Sequence, residues 1–275
     1  MTHRTPYELR LSCREGVFSG PTFESAPGIL QANLVIVPTT FANDFEVFCR
    51  LNPKPCPLLE VTKPGGYELQ KLAQDVDLRT DLPKYRVFQN GSFVAEPTDI
   101  LSWWRDDLVA FLLGCSLSFE HAMLTSGLPV RHVEEHRNGP VYRTNIPCQT
   151  AGSFHGPTVV SMRPIPSGLV DRAIQLTEKY PFAHGAPLHV GDPSTIGIKD
   201  LQSPDFGEAV TIHADETPVF WACGVTPQVV LLESKTEFAI THSPGHMFVT
   251  DIRSDEFVWD RAERDAPADA DKPSH

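Results

Sequence analysis

The chain lacks a run of eighteen uncharged apolar residues, a cluster of Lys and Arg, a CxxC pair, and a glycine-rich loop of the GxGxxG or GxxxxGK[ST] kind. The first absence excludes a membrane-spanning helix. Residues 1–6 (Met-Thr-His-Arg-Thr-Pro) carry no apolar stretch of the sort that drives export, so a cytoplasmic protein is expected. With 23 basic against 35 acidic side chains and a net charge of -12, no surface is suited to a phosphate backbone, and nucleic acid is excluded as a partner. Six cysteines (Cys13, Cys49, Cys56, Cys115, Cys148 and Cys223) without paired spacing read as free thiols in a reducing compartment. Missing phosphate-loop signatures leave nucleotide binding without support, and neither an internal repeat nor a heptad pattern is legible.

What is present is a core-sized apolar fraction, 41% of 275 residues, punctuated by short runs in which Gly, Pro, Cys, His and Arg crowd together. Glycine and proline fix special backbone angles, while the other three types supply proton transfer, nucleophilicity and anion contacts. Such runs read as loops that carry chemistry on a rigid scaffold. Residues 31–38 read as a buried strand and 40–51 as a helix with Phe41, Phe45, Phe48 and Cys49 on one face. Short strands follow at 58–61, 85–87 and 93–94, the last two flanking the hairpin signal Asn90-Gly91. Residues 63–83 read as a polar surface loop and 101–113 as a helix. A second helix is expected to start at a Ser116 or Ser118 cap and to stop at Gly127, which places Cys115 at a helix N-terminus that would lower a thiol pKa or hold a carboxylate. Strands at 130–133, 140–146 and 158–162 and a helix at 166–180 suggest a two-layer unit, followed by strands at 188–190, 209–212, 219–221 and 238–240. The tail, 260–275, reads as disordered.

Several constellations bear on chemistry. Cys115 and Cys223 each follow an apolar segment beside a glycine, and two thiols facing each other across an α-carbon would serve as an acid/base pair; simple core packing is the competing account. Arg143 and Arg163, near hydroxyl and amide side chains such as Asn145, could grip a carboxylate, or form internal ion pairs. His184, His189, His242 and His246 suit general acid/base work or backbone hydrogen bonds. The Ser-Pro-Gly between His242 and His246 breaks the helix that an HxxxH metal pair would need, so no metal and no cofactor are expected.

Taken together, Ala26-Pro27-Gly28, Asn52 to Pro57, Asp77 to Pro83, Trp104 to Val109, Tyr142 to Cys148, His155-Gly156-Pro157, Ser161 to Pro164, His184 to Asp192, Phe220 to Gln228 and Thr241 to Phe248 resemble a family of bacterial hydro-lyases similar to the D-glutamate cyclase of mitochondria. The resemblance implies a lyase that releases water from a small acidic amino acid or carboxylic acid, with cyclisation of D-glutamate to 5-oxo-D-proline as the best-defined activity. Expected catalytic residues are Cys115, Glu120, His184, His189, Cys223, His242 and His246, and expected substrate contacts are Arg143, Asn145, Arg163 and Thr226. The alternatives are a cofactor-independent amino-acid racemase or epimerase using Cys115 and Cys223, and a non-catalytic ligand-binding protein. The expected architecture is α/β with two subdomains: a layered domain from 1–128 and 195–259, and an inserted two-layer sandwich from 129–194. The expected partner is a small carboxylate, with no membrane involved; self-association is left open.

Overall fold

The computed structural model describes residues 4–23 and 25–257; the tail read as disordered lies outside them. Helix α1 (Pro6–Arg14) opens with Thr5 in a capping box with Glu8. It leads into strand β1 (Ile29–Pro38), helix α2 (Thr39–Leu51) and strand β2 (Leu58–Val61). The hairpin β3 (Tyr85–Gln89) and β4 (Ser92–Ala95) turns on Asn90 and Gly91 at φ 48° and 73°, the left-handed pair that an Asn-Gly turn supplies. Then come β5 (Leu108–Gly114), α3 (Leu117–Thr125), the short α4 (Arg131–Glu134), β6 (Val141–Pro147), β7 (Pro157–Pro166), α5 (Val170–Thr177), β8 (His189–Val190), β9 (Glu216–Ala222), α6 (Val225–Glu233), β10 (Phe238–His242) and β11 (Phe248–Arg253).

These strands form two sheets with every pairing antiparallel: β2-β5-β1-β10-β3-β4, with β11 also on β1, and β6-β7-β9-β8. Strand β1 is covered on both faces, hence its unbroken Leu-Val-Ile-Val run. Leu34 and Ile36 join a core that also takes Phe119 of α3, Ile165 of β7 and Val219 and Trp221 of β9, so apolar side chains of both sheets meet in one cluster. Val35 and Val37 face a second core with Phe45 and Phe48 of α2.

Four expectations are corrected. Residues 108–114 are a fully buried strand preceded by a 3-10 turn at Leu101–Trp103; a short apolar run does not distinguish buried strand from buried helix by its periodicity. The 130–133 segment holds the start of helix α4, and 209–212 is not a strand. The irregular 63–83 stretch is no mere surface loop, because Leu69, Leu72, Val76, Leu78 and Leu82 are buried in the larger core. Helices α1 and α6 and strand β11 were not anticipated. The second sheet takes β9 from 216–222, so it draws on residues beyond 194.

A repeat that is illegible in the sequence appears in the connectivity. In one half, a ten-residue strand ending in proline (β1) leads through α2 to a short edge strand (β2), then to a strand pairing between them (β5) and a helix (α3). The other half repeats this as β7, α5, β8, β9 and α6. Each half then hands a strand to the other: β6, downstream of α3, pairs with β7, while β10, after α6, pairs with β1.

Candidate active site

At the end of each inner strand the chain turns through a cysteine into a helix: Gly114-Cys115-Ser116 between β5 and α3, and Ala222-Cys223-Gly224 between β9 and α6. The hydroxyl three residues after each cysteine fixes this turn. Ser118 Oγ accepts from the Gln31 N–H at 3.2 Å and reaches the Gln31 carbonyl at 3.5 Å. Thr226 Oγ1 accepts from the Val159 N–H at 3.0 Å and donates to the Val159 carbonyl at 3.3 Å. Gln31 and Val159 each lie one residue before the pairing of the long strand with the residue preceding the cysteine (Ala32 with Gly114, Val160 with Ala222). The two cysteines are thus set at equivalent points of the two halves.

Cys223 raises Cys115 electrostatically, and Arg163 and Glu120 act on both thiols. Burial pushes Cys115 up to about 12 and Cys223 up to about 11. Hydrogen bonds to the backbone of Leu117 and Val225 pull the other way, as a helix N-terminus should, but desolvation wins. The expectation of a lowered Cys115 pKa is therefore corrected. Cys223 is half-buried and the other five cysteines are buried.

Beside the thiols lies a buried ion pair. Arg163, on β7, donates through Nε and Nη2 to Glu120 Oε1 on α3. Its remaining bonds go to Ser116 Oγ at 3.1 Å and Ser161 Oγ at 3.0 Å, and its guanidinium lies 5.1 Å from the Phe119 ring centroid and 5.2 Å from that of Trp221. Burial would raise the Glu120 carboxyl, but the charge of Arg163, followed by that of His132, holds it at about 2. His132 Nε2 stands 3.4 Å from Glu120 Oε2, an oxygen without a hydrogen-bond partner. With so many N–H groups committed, Arg163 holds the site together rather than offering an open fork.

His184 completes the group. It follows the 3-10 turn Pro181–Ala183 in a left-handed conformation, φ 78°, which a non-glycine residue adopts at a cost of about 1–3 kcal/mol. The turn packs so tightly on β5 that a Cβ on Gly114 would overlap the Phe182 carbonyl oxygen, so only glycine fits there. His184 Nδ1 lies 2.8 Å from the Lys54 carbonyl, which can only accept, so Nδ1 carries the proton and Nε2 keeps its lone pair. Nε2 is buried without a partner. Burial, helped by the charge on Arg163, lowers the imidazole to about 4 and keeps it neutral. Asn33 of β1 ties the two cysteine turns together: its Nδ2 donates to the Gly114 carbonyl at 2.6 Å, and its side-chain amide fills the space that a Cβ on Gly224 would need.

Cys115, Cys223, Glu120 and His184 are therefore grouped around Arg163. The other candidates stand elsewhere. Arg143 pairs with Glu233 at 2.7 Å on a partly exposed surface, and Asn145 is exposed on β6. Thr226 is committed to Val159. His189, on the edge strand β8, contacts the Asp192 carbonyl and Thr195. His242 Nδ1 accepts from the Leu34 N–H at 3.1 Å, and His246 bonds the Pro244 carbonyl at 2.8 Å. Among the described residues no group of three His, Cys, Asp or Glu side chains is arranged to hold a metal. Sequence reasoning missed His132, read as part of a strand. It noted Ser116 in the Gly114-Cys115-Ser116 run and as a cap, and Ser161 as a hydroxyl beside Arg163, without counting either among the site residues.

Residues 109–251 match the family model described as D-glutamate cyclase, a span that holds both cysteine turns, Glu120, Arg163 and His184. A protein of Bordetella petrii named "Putative hydro-lyase" is 56% identical over 256 residues, covering 92% of this chain and 97% of its own. Proteins of the same general name from Geobacillus kaustophilus and Stutzerimonas stutzeri are each 55% identical, over 249 and 252 residues, covering 90% and 92% of this chain and 95% of each relative. Among solved structures, a nitrogen repressor-like protein of Methanococcus jannaschii aligns at 9% identity over 90% of this chain and 98% of that one, with a TM-score of 0.38, too low to bear on function. The extent of the family match and the identity to these relatives place the chain in the D-glutamate cyclase family.

Proposed function

We propose that the protein is a hydro-lyase that releases water from a small acidic amino acid, and that the reaction is cyclisation of D-glutamate to 5-oxo-D-proline. The observation that carries this reading is the unpartnered, neutral His184 Nε2, which like the two protonated thiols is buried within the field of Arg163, in a member of this family. Ring closure forms a bond from the α-nitrogen to the γ-carbon and breaks a carbon–oxygen bond. Two protons leave the ammonium group and two end on the departing oxygen. His184 is the base that takes a proton from nitrogen, and a thiol, protonated at neutral pH, is the acid that delivers one to oxygen. Arg163 and Glu120 act by positioning: the pair fixes Ser116 and Ser161 and sets the field around the sulfurs.

His184→Gln is expected to lower the formation of 5-oxo-D-proline, read by mass spectrometry, by about 10²- to 10⁴-fold, the usual worth of one positioned acid or base. A His184→Gln protein as fast as the parent would remove the histidine from the mechanism.

A further inference from the structure

We propose that the same site also exchanges the hydrogen on the α-carbon of a small acidic amino acid, with Cys115 and Cys223 acting from opposite faces, so that the protein interconverts the D and L forms. The inference shares with the proposed function only the premise that such an amino acid enters this site. It is carried by the duplicated cradle. Two thiols are presented by the same strand-to-helix turn, clasped by the same side-chain hydroxyl three residues on, from halves that trade strands with each other. Cyclisation moves protons from the α-nitrogen to the departing γ-oxygen and leaves the α-hydrogen in place, so it does not require two sulfurs on opposite sides of the α-carbon. Exchange at a tetrahedral carbon needs two groups, one on each side.

The step balances without an oxidant or reductant. One sulfur, in the thiolate form that is its minor state at neutral pH after its proton is lost to water, takes the α-hydrogen as a proton. The electron pair stays on carbon, delocalised into the adjacent carboxyl group, and the other thiol returns a proton to the opposite face. The charged groups acting on both sulfurs are Arg163, which favours a thiolate, and Glu120, which opposes it.

The test is incubation of the protein in D₂O with D-glutamate, L-glutamate, D-aspartate and L-aspartate separately, followed by proton NMR of the α-position, chiral chromatography and mass spectrometry for 5-oxoproline. The expected result is loss of the α-proton signal with appearance of the opposite enantiomer, and a drop of at least about 100-fold in exchange for Cys115→Ser and for Cys223→Ser. Folding of each variant is checked by its melting temperature, and if one fails to fold the parent's exchange decides. Formation of 5-oxoproline free of α-deuterium, with no exchange in recovered substrate, overturns this proposal and leaves the cyclase reading standing. Exchange without ring closure supports it and overturns the cyclase reading, and neither reaction overturns both.

Discussion

The turn around Cys115 and the turn around Cys223 share a backbone device but not a neighbourhood. Five residues after Cys115 stands Glu120, ionised and paired with Arg163; five residues after Cys223 stands Gln228, neutral, 3.5 Å from His242 Nε2. The repeat thus supplies two equivalent sulfur positions, and the side chains make them unequal by concentrating charge on one side. Duplicated geometry is maintained by hydrogen bonds to backbone, which constrain few side-chain types, whereas the charge asymmetry rests on a handful of individual residues.

Removing the charge on one side should break the comparison most severely. Glu120→Ala leaves Arg163 buried without its counter-ion and should destabilise the protein by about 3–5 kcal/mol in denaturant titration, against about 1–2 kcal/mol for Gln228→Ala. Equal losses would mean that the ion pair is not the distinguishing feature.

Each side also keeps a buried neutral histidine, His184 and His242, both lowered to about 4 chiefly by burial. An unfolded histidine titrates near 6.5, so between about pH 6.5 and 4 the unfolded chain binds protons that the native one refuses. Stability should be complete above that window and fall as the pH drops through it, by up to about 3 kcal/mol for each imidazole. Glu120, held at about 2, is lowered rather than raised and loses its contribution only below about pH 4.5. Melting temperatures from pH 7.5 to 4 should fall less steeply for His184→Gln than for the parent; parallel curves would contradict the neutral assignment.

The glycines beside the cysteines sharpen the contrast further. A Cβ at Gly114 meets a backbone carbonyl, but at Gly224 it meets the Asn33 side chain. Gly114→Ala should cost about 3 kcal/mol and Gly224→Ala nearer 1 kcal/mol by denaturant titration, since only the second contact can yield by moving a side chain. The smallest effects should come from the clasps themselves. Ser118→Ala and Thr226→Ala should each cost about 1–2 kcal/mol and agree within roughly 1 kcal/mol, as equivalent hydrogen bonds require.

Much of this was legible in residue patterns, though unevenly. The unbroken apolar run of β1, the Asn-Gly hairpin and the cysteine-to-helix turn at Cys115 were readable because local chemistry decides them. Residues 108–114 misled because an apolar run buried on all sides carries no period. The repeat was invisible because Leu-Gly-Cys-Ser-Leu-Ser and Ala-Cys-Gly-Val-Thr share little beyond the cysteine and a hydroxyl three residues on. Of the four candidate histidines only His184 reaches the site: a loop histidine's position depends on what its backbone packs against, here Gly114 and Lys54. The raised thiols were missed because a helix N-terminus is visible in sequence, while the burial that overrides it is not.

The central claim is that the histidine and the sulfurs serve a single reaction centre. A double-mutant cycle on water loss from D-glutamate, using His184→Gln, Cys115→Ser and their combination, tests it most directly. Each single change should lower turnover by about 100-fold or more, and the combination should be little worse than the poorer of the two. A parent protein that forms no product, or two losses that simply multiply, would contradict the claim.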